Sequence, residues 1–140
     1  MQQAILQKIK EILQGITAIK EIYDYPLDGN PKKFPAAIFY FDSFDNSFET
    51  VRDNFIVLRF KLFLVVNLSG TTEAEVYQSI MPKLMDAVVP AINSAWNMGD
   101  VEGQRAWGLL TGGNVTLSVE QQAKQATADL TIQVKLSTSV

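Results

Sequence analysis

With neither histidine nor cysteine among its 140 residues, the chain has few chemistries open to it. Without histidine it lacks the commonest general base at neutral pH and the commonest metal ligand. Without cysteine it can build neither a disulfide framework nor a thiolate metal site. No Ser-His-Asp or Cys-His nucleophile pair can form within one chain. Carboxylates remain, and Asp42 and Asp45 are the tightest acidic pair in a polar stretch beside a strand. Two carboxylates can do acid–base work when their surroundings split their pKa values. Nothing around these two supplies such surroundings, and solvated acids are the simpler reading. Asp42, Asp45, Glu49 and Asp53 could also suggest calcium, but their spacing is not that of an EF-hand and no glycine makes the central turn. Gly99, Gly103, Gly108, Gly112 and Gly113 fit neither a GxGxxG turn nor a phosphate-binding loop. The expectation is a protein that is not an enzyme, needs no cofactor or metal, and works through its surfaces.

Composition is consistent with that. The length fits one domain, 1–140, and 47% apolar residues suffice for a core. Lys and Arg total 12 against 15 Asp and Glu, a net charge of −3. A dedicated nucleic-acid binder normally presents a basic face. Charged residues interrupt the N-terminal apolar positions, so the sequence reads as lacking a signal peptide. The most apolar segment, 55–66, carries Arg59 and Lys61 and is too short for a membrane helix.

The elements that must position the surfaces follow from periodicity. Ile5, Leu6, Ile9, Ile12, Leu13 and Ile16 predict an amphipathic helix from residue 2 to about 19, weakened at Gly15. A proline- and glycine-bearing loop spans 23–35, and 36–41 reads as a short buried strand. Residues 42–53 read as a polar hairpin tip carrying Phe44 and Phe48. In 54–67 the even positions Ile56, Leu58, Phe60, Leu62, Leu64 and Val66 are all apolar. The odd face is apolar at its ends and charged at Arg59 and Lys61. At roughly 3.3 Å per residue this strand could span about 40 Å, which suggests either pairing beyond its own domain or a long hairpin covered by the chain's own helices.

A second helix is predicted from 72 to about 96, with Thr72 and Glu75 as a capping box. Its stripe is Val76, Tyr77, Ile80, Leu84, Ala87, Val88, Ala91 and Ala95, with a kink or break at Pro82 and Pro90. Residues 98–113 read as an irregular glycine-rich connection anchored by Trp96 and Trp107. Alternation over 115–119 and 127–137 predicts a C-terminal antiparallel hairpin. The fold class is therefore α+β: a mostly antiparallel sheet of about four strands, two main helices on one face, in the order α-β-β-α-β-β.

The layout resembles the tail terminator, or tail completion, proteins of tailed bacteriophages, of the minor tail protein U type. The resemblance spans nearly the whole chain. It rests on the amphipathic first helix, Ile22-Tyr23-Asp24-Tyr25-Pro26 entering a loop, and Phe34-Pro35-Ala36-Ala37 closing it. The closing segment is similar to a tyrosine-proline-alanine signature, with phenylalanine in place of tyrosine. A polar tip with Val51-Arg52-Asp53, a long strand, a helix after Gly70-Thr71-Thr72 and a C-terminal hairpin complete it.

The resemblance implies a homohexameric ring that caps the tail tube in the virion, assembled in the cytoplasm of a host bacterium. Its partners would be further copies of itself, the tail tube protein and the head-side connector or stopper. DNA would pass through the lumen without specific binding, and no membrane is involved. Protruding loops nominate Tyr25, Lys32, Lys33, Phe44, Phe48, Arg52 and Asp53 as subunit or partner contacts. Strand alternation nominates Arg59, Lys61, Asp129 and Lys135 as lumen-facing. A head–tail stopper and a tail tube subunit share the layout and stand as alternatives. A different class is a small-ligand or peptide-binding module, with Phe55, Phe63, Val65, Trp96 and Trp107 lining a pocket.

Overall fold

The computed structural model describes residues 2–27, 31–48, 53–67, 73–95, 97–101, 104–120 and 123–139. Helix α1, Gln2–Gln14, buries Ile5, Ile9 and Leu13, which recur every four residues along one stripe. It ends earlier than its periodicity predicts. The Gly15 N–H is shared between the Glu11 and Ile12 carbonyls, and the Ile16 and Ile19 amides close tight turns onto Leu13 and Ile16. Ile16 and Ile19 are still buried, but from these turns rather than from a helix.

Six strands follow, not four: β1 (Glu21–Tyr23), β2 (Ala36–Phe48), β3 (Asp53–Asn67), β4 (Asn97–Val101), β5 (Gln104–Glu120) and β6 (Ala123–Ser139). They form one sheet in the order β1-β2-β3-β6-β5-β4. The β1–β2 pair is parallel and every other pair is antiparallel. The α+β class holds, while the strand count and order are corrected. The missed strands are the short ones at the two edges, three and five residues long. Neither is long enough to carry a readable alternation.

Two segments read as irregular are strands. Residues 42–48 continue β2, with a register shift between Phe41 and Ser43, and pair with β3 as far as Phe48↔Asn54. Ladder hydrogen bonds to an apolar neighbour override the polar composition. The glycine-rich 98–113 stretch forms β4 and much of β5, bulged between Leu110 and Gly112. Gly113 is required there. A Cβ at this position would lie 2.1 Å from Leu130 Cδ2 and 2.6 Å from the Asp129 carbonyl oxygen.

Between β3 and β4 the chain is helical but not uniform. One α-turn, α2 (Glu73–Glu75), leads into a π-helical turn at Val76–Ile80 and then α3 (Met81–Ser94). The wide turn lies immediately ahead of Met81 and Pro82, where the proline ring and its missing N–H exclude a regular α turn. Pro90 is carried inside α3 without a break. The extra residue in the π turn rotates the preceding face. The buried stripe is therefore Met81, Leu84, Val88 and Ile92, and Tyr77, expected within it, is 49% exposed. Thr72, and with it the expected capping box, lies outside the described residues, as does Trp96.

Helices α1 and α3 touch each other and cover one face of the sheet. That inner face supplies Leu58, Phe60, Leu62, Leu64 and Val66 from β3 and Ala126, Ala128, Leu130, Ile132, Val134 and Leu136 from β6. Phe60 meets Phe41 edge-on, with ring centroids 5.7 Å apart. The side chain of Asn93 in α3 accepts the Leu110 N–H at 3.1 Å, satisfying a donor beside the β5 bulge. The long strand β3 has both edges paired within the chain, to β2 and β6 along its length.

Candidate functional site

Alternation puts the remaining side chains of β2, β3, β6 and β5 on the opposite, outer face. The register stacks them in rows across the strands: Ile38–Phe63–Asp129–Asn114, then Tyr40–Lys61–Thr131, then Ser43–Arg59–Gln133–Leu109, then Asp45–Val57–Lys135–Trp107. Neither helix reaches this face, since none of these residues belongs to the helix-bearing core cluster. Its charges are paired across strands. Arg59 Nη1 binds Asp45 Oδ2, and Lys61 Nζ lies 3.3 Å from Asp129 Oδ1. Tyr40 and Phe63 stack beside the second pair, with centroids 6.1 Å apart. The four residues nominated as lumen-facing, Arg59, Lys61, Asp129 and Lys135, all lie on this one face.

Residues 24–27 and 31–35 form loop segments between β1 and β2 at one edge of the sheet. Lys32 N–H donates to the Tyr23 hydroxyl at 3.2 Å, and the Tyr23 and Tyr25 rings meet edge-on at 5.8 Å. Lys10 of α1 reaches Asp24 at 3.6 Å. The Phe34–Pro35 peptide bond is cis, and the Pro35 carbonyl accepts the Lys20 N–H. Among the nominated contacts, Tyr25 is half exposed, and Lys32 and Lys33 lie at the surface of this loop.

Phe44 belongs to a different region. It pairs with Leu58 on the helix side of the sheet, yet 57% of it is exposed, whereas Leu58 is buried. Asp42, at the β2 bulge, and Asp45, beyond it, are exposed as well. This stretch therefore stands clear of the helical layer, as an arm of the β2–β3 hairpin. Phe48 ends β2 and Asp53 begins β3, while Arg52 lies outside the described residues. The structure thus separates the nominated contacts into a loop cluster at the β1 corner and the hairpin arm.

Other expected groupings are not brought together. Asp45 is engaged by Arg59 rather than by Asp42, and among the described residues no three carboxylates converge. Phe63 and Trp107 belong to rows set by Phe63 and Val57 of β3, about 20 Å apart along the strand. Val65 is buried. Phe55 lies on β3 and Trp96 lies outside the described residues; among the described residues, Trp107 is not brought to Phe63 and Val65. Leu109, half exposed on the outer face, was missed because its segment read as irregular. The two-residue spacing of Trp107 and Leu109 across Gly108 was the available signal. No described helix is long and apolar enough to cross a membrane. A scan against protein-family models finds no match, and comparison with curated proteins finds none either.

Proposed function

We propose that the chain is a structural subunit of a bacteriophage tail, forming a ring that caps the tail tube, ends its polymerisation and joins the tail to the head-side connector. The observation that supports this most is the two-sided sheet. One face is sealed by the chain's own helices, and the other spreads paired charges across three strands, β2, β3 and β6. A surface that lines a DNA conduit should be polar without gripping phosphate. Ion pairs such as Arg59–Asp45 and Lys61–Asp129 neutralise their own cations, and the chain is mildly acidic overall. The β2 arm with Phe44 and the loop with Tyr25, Lys32 and Lys33 are the contacts assigned to neighbouring subunits and to the tube or connector.

The test is assembly. Light scattering and negative-stain imaging of the purified chain should give a closed hexameric ring, alone or on added tail tubes, and the ring should stop tube growth. Long tubes formed by the chain alone would reassign it as a tube subunit. Binding to the connector but not to tubes would make it a stopper. A chain that stays monomeric and ignores both would end the proposal.

A further inference from the structure

Among the described residues the sheet is incomplete at both edges, and the two gaps lie toward opposite ends of it, 39–48 level with residues 54–62 of β3 and 112–120 level with residue 61 onward. β1 pairs only with Ala36, Ala37 and Ile38 of β2, and no described strand lies beyond residues 39–48 on that side. β4 pairs only with residues 104–107 of β5, and no described strand lies beyond residues 108–120. Unpaired edges of this length present rows of N–H and C=O groups, which are templates for another strand. One donor on the β5 edge, the Leu110 N–H, is already taken by Asn93, so the free template starts past the bulge, at Gly112.

From this we infer that neighbouring subunits join by antiparallel pairing of the β2 edge of one copy with the β5 edge of the next. The inference rests on the ring reading and specifies its joint. β2 runs antiparallel to β3, β3 to β6 and β6 to β5, so β2 and β5 point in opposite directions. Copies related by rotation about an axis inclined to the strands keep those senses, and the incline slides one edge along the other by the roughly 20 Å that separates the levels of the two gaps. The β2 edge of one then meets the β5 edge of the next in the antiparallel sense, the more stable ladder. Each joint uses one edge of each kind and leaves the same two free at the ends of the assembly. Such a heterologous contact repeats until the rotation closes it. Pairing of β2 with β2 about a twofold axis would instead stop at a dimer and leave both β5 edges bare.

Both edges are accessible. On β2, Asp42, Phe44 and Asp45 are exposed, and Phe44 is a large apolar side chain for an incoming strand to cover. On β5, Thr111, Gly112, Gly113 and Asn114 are exposed and small or polar, and a Cβ at Gly112 would meet nothing within 4 Å. A second strand can approach there without displacing side chains.

The chain has no cysteine, so introduced thiols report without background. The double variant D42C/N114C, treated with a bismaleimide under conditions where light scattering shows the oligomer, should give a covalent ladder from dimer up to the full ring. D42C alone and N114C alone should give none. Dimers from D42C alone would overturn the proposal in favour of β2–β2 pairing. An oligomer that forms without cross-linking in the double variant, and whose amides in 39–48 and 112–120 exchange as fast as in the dilute monomer, would overturn the joint but leave the ring reading standing. Failure to assemble, alone or on tail tubes, would remove the ring reading and the joint with it. In the unmodified chain, amides of both segments should slow together on assembly, by about tenfold or more.

Discussion

The two faces of the sheet are built from alternate residues of the same strands and serve opposite ends. On the inner face Leu58, Phe60, Leu62 and Leu64 pack with Leu130, Ile132 and Val134 beneath two helices, with almost no water access. One residue along, Arg59, Lys61, Thr131 and Gln133 stay partly exposed; Arg59 pairs with Asp45, Lys61 with Asp129, and Tyr40 stacks on Phe63 beside them. Burial of apolar area is the main source of stability. Exposed ion pairs contribute little. The inner face therefore holds the fold, and the outer face is free to be shaped by what it meets.

The sharpest way to break this contrast is to truncate the inner face. Phe60→Ala removes a fully buried ring that packs on Phe41 and should cost about 3–5 kcal/mol in urea unfolding. A loss below 1 kcal/mol, on that order, would mean that the helices do not seal this face.

A smaller effect is expected where β5 approaches β6. Gly113→Ala forces a methyl against Leu130 and the Asp129 carbonyl and should cost about 1–3 kcal/mol. Its neighbour Gly112→Ala has open space and should be close to neutral in the same unfolding assay. Equal losses would show that backbone freedom, rather than the close approach at Gly113, governs the bulge.

The smallest effect belongs to the outer face. A double-mutant cycle on Lys61 and Asp129, each to Ala, should give a coupling of about 1 kcal/mol or less that fades with added salt. A larger, salt-resistant coupling would make the outer face a second source of stability.

Much of this contrast is legible in the sequence. The alternation of β3 and β6 assigns Leu58, Phe60, Leu62, Leu64, Leu130, Ile132 and Val134 to the inner side and Arg59, Lys61, Thr131 and Gln133 to the outer one, and the spacing of Ile5, Ile9 and Leu13 identifies the first covering helix. The phase of the second helix is not legible at Tyr77, because a π turn ahead of Pro82 shifts the face by an amount that no simple period anticipates. Nor is the length of β2. Residues 42–48 look like a loop by composition and are strand because β3 is there to pair with them.

The sequence by itself settles what depends on local chemistry and local sterics. Without histidine and cysteine, whole classes of nucleophile and metal site have no ligands to use. The two-residue period of a strand and the 3.6-residue period of a helix then sort side chains to faces without reference to anything distant. Only the tertiary structure decides which strands become neighbours. The order β1-β2-β3-β6-β5-β4 brings Lys61 to Asp129 across 68 positions, sets two short strands at the edges and, among the described residues, leaves part of β2 and of β5 without a neighbouring strand. Those outcomes depend on how backbone donors and apolar faces find partners throughout the chain at once, and such long-range pairing leaves no periodic mark on any one segment.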